Sequence, residues 1–198
     1  MIKDLLQEAF ALKASGHYKH AIEIFYKALE LDNSSSELLL EIADLYDKIG
    51  NKEKALSYIE QILDKDPTHV DALKFLKRVF ERKEAWQEAE QTAKNIYCIS
   101  HNSADLAEIF KILIKQNKFD EIFEFKFNTN DKYVYLELAR AYYYKKDFQK
   151  ALEILTKIQP QMTNNQEFLL LLGQCYYYSN QKERCIEIIG QFKGKNAE

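Results

Sequence analysis

The sequence repeats itself about every 34 residues, and this period limits the possible folds more than any other feature. One position of the repeat, usually alanine, returns at intervals of 34, 34, 33, 29 and 34 residues. Its occurrences are Ala21, Ala55, Ala89, Ile122, Ala151 and Cys185. A fixed period between about 20 and 50 residues is typical of a solenoid, in which similar units stack on one another.

Within each period the pattern predicts two helices. Apolar residues recur three or four positions apart, as they do on the buried face of a helix. The 198 residues include only 5 Gly and 2 Pro, too few for a β-sandwich or barrel with many tight turns. The predicted fold class is all-α, with one continuous domain of about six helix-turn-helix units. These units span about residues 2–35, 36–69, 70–102, 103–131, 132–164 and 165–192, and a polar tail follows at 193–198.

Turn and cap residues mark the ends of the predicted helices. The turn inside each pair is expected at Gly16, Gly50, Glu84, Asn117, Lys146 and Asn180. Gly and Asn tolerate a positive φ angle, so the turns at Glu84 and Lys146 should be less ideal. Capping boxes are predicted at Ser34 with Glu37 and at Asn164 with Glu167. Pro160 is expected just after the end of its helix.

The fourth unit is predicted to be shortened, because its interval to the next unit is 29 residues rather than 34. The loss of about five residues falls in its second helix. The stretch 122–127 alternates as a strand does, and 128–131 reads as a turn. Two interpretations are open: a harmless deletion, or a joint that changes the path of the stack or bends on binding.

The repeated residues resemble the tetratricopeptide repeat. The matching residues are Ala9, Gly16, Tyr18, Ala21, Phe25 and Ala28 in the first unit; Ala43, Tyr46, Gly50, Ala55 and Pro67 in the second; Ala139, Tyr142, Phe148, Ala151 and Leu155 in the fifth; and Gly173 and Tyr176 in the sixth. The third and fourth units match less well. The resemblance implies a right-handed α-solenoid whose first helices line a concave groove, and a role in protein binding.

The resemblance also indicates which side chains point into that groove. The predicted protein-binding residues are Lys74, Arg78, Lys111, Tyr133, Arg140, Tyr143, Tyr144, Gln174, Tyr177 and Tyr178. Three of them form a basic row at one repeat position, Arg78, Lys111 and Arg140. Eight of the 13 tyrosines lie between residues 133 and 178, and tyrosine with arginine is typical of interface hot spots. Alternatively, these side chains pack on one another and the basic groups pair with nearby carboxylates.

The sequence offers no catalytic, cofactor-binding or metal-binding pattern. His17 and His20 are a pair without a third ligand nearby in the sequence. The stretch 190–196 has the wrong spacing for a phosphate-binding loop and follows no strand. No histidine follows His101, so the second half lacks the usual general base. Cys185 is interpreted as a core residue, because it occupies the small buried position of its unit. An enzyme is therefore not predicted.

Composition limits the partners and the cellular compartment that are expected for this chain. A net charge of −3 and a pI near 5.9 disfavour a general nucleic-acid binder. Three cysteines without framework spacing favour reduced thiols and a cytoplasmic location. No stretch approaches 18 uncharged apolar residues, so membrane insertion is not expected.

The predicted function is a non-catalytic scaffold or adaptor. Its groove would bind a peptide or helix segment with acidic and apolar character, because the basic row and the tyrosines are complementary to such a partner. The alternative is self-association: the last unit has little sequence after it to cover its stacking face, which would favour a homodimer.

Overall fold

The structure, a computed structural model, describes the backbone of residues 2–195 and the side chains of residues 2–190. This part of the chain contains twelve helices and no strand, as the all-α prediction requires. The helices are α1 (Ile2–Ala14), α2 (Tyr18–Leu31), α3 (Ser36–Lys48), α4 (Lys52–Lys65), α5 (Val70–Arg82), α6 (Trp86–Ser100), α7 (Ser103–Lys115), α8 (Phe119–Glu124), α9 (Lys132–Tyr144), α10 (Phe148–Met162), α11 (Gln166–Tyr178) and α12 (Lys182–Lys195).

The chain divides into two compact units, Met1–Thr92 and Ala93–Glu198. In the first unit α1 packs on α2, α2 on α3, α3 on α4, and α4 on α5. In the second unit α7 packs on α8 and α9, α9 on α10, α10 on α11, and α11 on α12. Consecutive antiparallel helices thus pair and stack within each unit. The prediction that all pairs belong to a single domain stays a prediction.

The alanine position of the repeat lies where paired helices approach closely. Ala21, Ala55, Ala89 and Ala151 are at most 1% exposed, and Ile122 is fully buried in the shortened unit. A small side chain lets the two backbones come together, so the period seen in the sequence is a packing requirement. Cys185, interpreted as core from the sequence, is only half-buried. Its side chain packs against the core of the second unit without being enclosed by it.

Six turns share one backbone arrangement. The residues predicted at the turns all have positive φ, from 56° at Glu84 to 82° at Gly50. In every case the next residue donates its N–H to the carbonyl five residues earlier at 2.9 Å, for example His17 to Leu12 and Asp147 to Tyr142. This is the Schellman closure of a helix. The turns at Glu84 and Lys146 make the same hydrogen bond as the glycine turns, and they differ in placing a side chain in the left-handed region.

The shortened unit confirms the predicted loss of helix. α8 has six residues, and residues 125–131 then run without helix, turn or bend. The turn predicted at 128–131 is therefore wrong. An extended chain rises about 3.3 Å per residue against 1.5 Å in a helix, so these seven residues span roughly the length of fifteen helical ones. The chain reaches the start of α9 with fewer residues because it is extended.

Aromatic side chains fix this extended segment to the helices around it. Phe125 and Phe127 each contact the buried Phe110 ring with centroids 5.7 Å apart, and Phe123 stacks on Tyr142 at 4.3 Å. The alternation seen in the sequence is thus real, although no partner strand is present in the described residues. These contacts favour a deletion accommodated by packing over a loose joint.

Several predicted helix ends shift by one or a few residues. The N-cap of α3 is Ser35 rather than Ser34, and that of α11 is Asn165 rather than Asn164. Pro160 lies inside α10 rather than after it. It falls in the last turn, where its missing N–H removes a single hydrogen bond near the helix end. α12 continues to Lys195, so the first part of the predicted polar tail is helical, and residues 196–198 lie outside the described chain.

Candidate functional site

An exposed row of aromatic rings runs across the second unit. We call it the aromatic strip, and it consists of Phe119, Tyr143, Tyr144, Phe148, Tyr177 and Tyr178. Each ring has its centroid 5.1–6.1 Å from that of a neighbour in the strip. The repeat explains the row, because α9 and α11 each end in three consecutive tyrosines, 34 residues apart. Rings at this spacing attract one another and hold a fixed arrangement.

The strip is accessible although its rings are held in place. Tyr144, Tyr177 and Tyr178 are 54%, 62% and 56% exposed, while Tyr143 is half-buried between its neighbours. Burial and the adjacent hydroxyls raise the pKa of Tyr143 above its usual value. Its hydroxyl therefore stays neutral and can still donate a hydrogen bond. Phe119 and Phe148 are also half-buried. A contiguous exposed apolar patch on a protein surface often marks an interaction site.

A cavity of about 440 Å³ adjoins the strip at Tyr144. Its charged lining comes from three helices of the second unit: α7 and its C-terminal turn, α9, and the first turn of α11. We call it the charged cavity, and its lining residues are Lys111, Ile114, Lys115, Asn117, Glu137, Arg140, Tyr144 and Glu167. Two members of the predicted basic row, Lys111 and Arg140, thus line one cavity.

Two of the three basic groups of the charged cavity, Lys111 and Arg140, are paired with carboxylates. Lys111 Nζ lies 2.7 Å from Glu108 Oε1. Arg140 Nε lies 3.3 Å from Glu137 Oε2, and Arg140 Nη2 lies 3.2 Å from Glu167 Oε2. Burial alone would lower the pKa of Lys111, but its pKa is raised because the hydrogen bond that it donates to Glu108 and the negative charges of Glu108, Glu137 and Glu167 together outweigh burial.

Glu137 is the most deeply placed of these carboxylates. Its side chain is 2% exposed, and burial raises its pKa despite the nearby Arg140 and Lys111. Glu137 Oε2 and Arg140 Nε are both buried atoms without a hydrogen bond, although they face each other. The ion pair is therefore close but incompletely satisfied, and buried polar atoms of this kind need an explanation.

A second, apolar cavity of about 420 Å³ lies between α11 and α12. Gln174, Tyr177 and Tyr178 of the predicted site line it, so the aromatic strip ends at its edge. The other lining residues are Leu169, Leu170, Gly173, Cys185, Ile188 and Ile189. Leu170, Ile186 and Ile189 on this side of the pair are 56%, 68% and 49% exposed.

The remaining predicted site residues lie elsewhere. Lys74 and Arg78 are on α5 in the first unit, where the Arg78 guanidinium is 5.2 Å from the centre of the Phe75 ring. Tyr133 is 47% exposed at the start of α9, with Lys132 Nζ 5.4 Å from its ring centre. Tyr133 lines neither of the two cavities.

Sequence reasoning missed Phe119 and Phe148 as members of the strip. Both are the first residue of a helix: Phe119 of α8 stacks on Tyr144 at the end of the following α9, and Phe148 of α10 packs on Tyr143 of the preceding α9. A signal was available, because the aromatic residue at this repeat position is part of the pattern itself. Glu137 was also missed: its i,i+3 spacing to Arg140 was a signal in the sequence, but only the structure shows that it is 2% exposed.

Sequence models of the tetratricopeptide repeat match the chain at residues 12–78 and 133–159. The first match lies in the first unit and the second covers α9 and most of α10. Together with the paired helices and the shared turn, they decide the family. This chain is a tetratricopeptide repeat protein.

One curated relative of this repeat protein is the photosystem I assembly protein Ycf3 of Rippkaea orientalis (strain PCC 8801 / RF-1). The two are 33% identical over 70 residues, which is 34% of this chain and 40% of the relative. The match therefore spans well under half of the length of either protein.

Solved structures show the same fold over nearly the whole repeat protein. A tetratricopeptide repeat protein from Parabacteroides merdae ATCC 43184 superposes with a TM-score of 0.72 at 13% identity, covering 96% of this chain and 78% of that one. PilF of Pseudomonas aeruginosa gives 0.71 at 17% identity, with 97% and 90% covered. YrrB, described as a TPR protein with an unusual peptide-binding site, gives 0.58 at 19%, with 84% and 89% covered.

The described residues contain neither a helix that could span a membrane nor a cluster of metal-binding side chains. No helix within residues 2–195 combines the length and the apolar character needed to cross a lipid bilayer. In the same part of the chain, no group of three or more His, Cys, Asp and Glu side chains is arranged to hold a metal ion.

Proposed function

We propose that this repeat protein is a non-catalytic scaffold that binds a segment of a partner polypeptide on its second unit. The observation that carries the proposal is the aromatic strip: exposed rings, held in contact with one another, beside a charged cavity. The tetratricopeptide repeat fold is a fold of protein–protein interaction. The peptide-binding site named for YrrB and the assembly role named for Ycf3 are consistent with this use of the fold.

The aromatic strip would provide most of the contact area. A tyrosine ring buries a large apolar surface and loses little conformational freedom, and its hydroxyl can pair with a partner's backbone. The rings here are already fixed by their neighbours, so binding would order little that was mobile before. Apolar side chains of the partner are therefore expected on the strip.

The charged cavity would select for acidic groups of the partner. The second unit carries 15 Lys and Arg against 13 Asp and Glu, a net charge of +2, whereas the first unit carries 13 against 18, a net charge of −5. An acidic segment is attracted to the second unit and repelled by the first. A polyanion such as nucleic acid is disfavoured as a general partner, because the protein is acidic as a whole. The free thiols of Cys98, Cys175 and Cys185 suit a reducing, cytoplasmic compartment.

Truncation of the strip tests the proposal. The tagged protein captures partners from a lysate of its own cells, and the same experiment is done with Tyr177→Ala/Tyr178→Ala. Proteins captured by the wild type should be lost with this variant, because hot-spot tyrosines each contribute about 2 kcal/mol or more to binding. Circular dichroism should be unchanged, since both side chains are more than half exposed.

Leu31→Ala is the matched control. Leu31 is an apolar residue on the first unit, 48% exposed, and its truncation should leave the captured set intact. If the two variants and the wild type capture the same proteins, the strip is not the binding surface.

Self-association is the second candidate, and one observation favours it. Leu170, Ile186 and Ile189 are about half exposed or more. The residues 34 positions earlier, Leu136, Leu152 and Leu155, are at most 5% exposed, within the stack of α9, α10 and α11. The face that α9 and α10 bury against their neighbours is therefore left exposed on α11 and α12. A second copy could cover it in a two-fold dimer.

Sedimentation velocity tests this second candidate. At about 100 μM, far above the Kd of a moderately stable dimer near 1 μM, the wild type should sediment as a dimer. Ile186→Glu should sediment as a monomer, because it places a charge on the apolar face. A monomeric wild type at that concentration rules the candidate out.

A further inference from the structure

The guanidinium of Arg140 is held by two carboxylates that differ greatly in their burial. Glu137 is 2% exposed and lies one turn away on the same helix. Glu167 is 70% exposed and comes from the first turn of α11. Separating a buried pair leaves a charge without a partner and is strongly unfavourable. Separating an exposed pair costs little, because water and salt screen the attraction between its charges. Glu137 is therefore a permanent partner, and Glu167 is replaceable.

The neighbourhood of Glu167 can hold a carboxylate from elsewhere. Lys111 and Lys115 line the same cavity, both are exposed, and the Asn117 amide is nearby. Lys115 has no ion-pair partner among the described side chains. Arg140 Nε is buried against Glu137, so Nη2, which faces Glu167, is on the side of the guanidinium that a partner's carboxylate would reach. A planar guanidinium and a carboxylate can form two parallel hydrogen bonds, more than the single contact that Glu167 makes.

We infer that Arg140 anchors a carboxylate-binding subsite which Glu167 occupies in the free protein, and that a carboxylate of the partner binds there by displacing the Glu167 side chain. The inference rests on the proposed function and adds to it the chemistry of one contact. Glu167 is then an internal competitor, and it sets a threshold that a weakly acidic segment does not pass.

The carboxylate can come from an Asp or Glu side chain or from the C-terminus of the partner, and both sources present the same group to Arg140. Three short synthetic peptides with an N-terminal fluorophore separate them. One alternates Leu and Glu and has an amidated C-terminus. The second alternates Leu and Gln and has a free C-terminus. The third alternates Leu and Gln and is amidated, so it carries neither carboxylate.

Fluorescence anisotropy at low ionic strength measures the affinity of each probe for the wild type and for Glu167→Gln. Low salt is needed because exposed charges are screened at higher salt. At least one carboxylate-bearing probe should bind Glu167→Gln about two- to fivefold more tightly than it binds the wild type, the size of one exposed ion pair. The probe without a carboxylate should bind both proteins equally.

Glu183→Gln is the matched control. Glu183 is an exposed residue at the second position of α12, as Glu167 is at the second position of α11, but it does not line the charged cavity. This variant also removes one negative charge from the first turn of a helix, and it should leave the affinity for the acidic probes unchanged. Arg140→Gln should weaken the favoured probe at least about tenfold, as loss of a charged hydrogen-bond partner does.

The inference is overturned if Glu167→Gln binds neither carboxylate probe more tightly than the wild type does, or if Glu183→Gln gains as much. It is also overturned if the probe without a carboxylate gains equally. Glu167→Gln alters only an exposed side chain, so this arm remains decisive even if Arg140→Gln unfolds. These results are separate from those of the tyrosine variant: partner capture that depends on the strip, together with no effect of Glu167→Gln, rejects the subsite and keeps the proposed function.

Discussion

The two units of this repeat protein use tyrosine in opposite ways. In the first unit the Tyr26 hydroxyl lies 2.9 Å from that of Tyr46 and 2.6 Å from that of Tyr58. These three rings pack between helices and satisfy one another. In the second unit Tyr177 and Tyr178 direct their rings outward and leave more than half of their surface exposed. The repeat dictates where an aromatic residue fits, and the surrounding side chains decide whether it is a core residue or a surface.

The ion pairs of the two units also differ in how completely their buried atoms are hydrogen-bonded. In the first unit Lys13 Nζ contacts Glu41 at 2.6 Å and Asp44 at 2.9 Å, and Lys48 contacts Asp44 at 3.0 Å. The two Lys13 pairs join α1 to α3, and the Lys48 pair lies within α3. In the second unit the pair of Arg140 and Glu137 leaves two buried atoms unsatisfied. The Lys13 network of the first unit thus leaves none of its own buried atoms without a hydrogen bond, whereas the Arg140–Glu137 pair of the second unit does.

The largest effect expected from this comparison concerns the extended segment of the second unit. Phe110→Ala should lower the free energy of unfolding by about 3–5 kcal/mol, and so should Phe25→Ala in the first unit, since both rings are fully buried. Only Phe110→Ala removes the contacts of Phe125 and Phe127. Trypsin should then cleave rapidly after Lys126 in that variant alone. Equal cleavage of both variants would mean that the segment is not held by its aromatic contacts.

The contrast between the tyrosines predicts a smaller effect. Tyr58→Phe removes a hydroxyl that is hydrogen-bonded to Tyr26 and should cost about 0.5–1.5 kcal/mol in urea denaturation. Tyr177→Phe removes an exposed hydroxyl and should change stability by less than about 0.5 kcal/mol. A comparable loss in both variants would contradict the division into core and surface tyrosines.

The turns should respond alike in both units. Glu84→Gly and Lys146→Gly relieve a left-handed conformation that costs about 1–2 kcal/mol, but glycine also adds entropy to the unfolded chain, so each should stabilise by roughly 0.5–1 kcal/mol. Gly50→Ala should destabilise by a similar amount. Thermal denaturation measures all three, and a loss of stability in either glycine variant would show that its side chain contributes more than the strain removes.

The smallest effect is a pH dependence of opposite sign in the two units. Burial would raise the pKa of Asp44, but hydrogen bonds from Lys13 and Lys48 lower it below its ordinary 3.8. Asp44 thus contributes stability above that pH, and the contribution is lost as pH falls through the folded-state pKa. Glu137 has a pKa raised above 4.5 by burial. Its contribution is present below that pH and is lost as pH rises through the folded-state pKa.

Urea midpoints measured across this pH range check both signs. The difference between wild type and Asp44→Asn should shrink as the solution becomes more acidic than pH 3.8. Relative to Glu137→Gln, the wild type should instead lose stability as pH rises above 4.5. Parallel curves for the wild type and the Glu137 variant would show that this carboxyl has an ordinary pKa.

Much of the fold was predictable because the repeat is a local pattern. All six turns inside the helix pairs fall at the predicted residues, since apolar spacing and turn residues indicate where each first helix ends. The segment 128–131 was mispredicted because Asn, Thr and Asp favour turns locally. There the contacts of Phe125 and Phe127 with Phe110 keep the chain extended, and those contacts join residues that are distant in sequence.

The candidate site was less predictable than the fold. The last two tyrosines of α9 and of α11 could be assigned to the groove by their position in the repeat, and their role in binding stays a prediction. The pairing of Arg140 with Glu137 follows from their i,i+3 spacing in α9, but its pairing with Glu167 depends on how α9 and α11 pack. The sequence indicates the residue types of this site, and helix packing determines which charges meet.

The common turn explains how so much divergence is compatible with one architecture. Its closing hydrogen bond joins two main-chain groups and makes no demand on any side chain, so glycine, asparagine, glutamate and lysine all complete it. The side chain at the turn can therefore change while the main-chain hydrogen bond that closes the helix is kept. The Parabacteroides merdae protein, which is 13% identical, still superposes over 96% of this chain and 78% of its own.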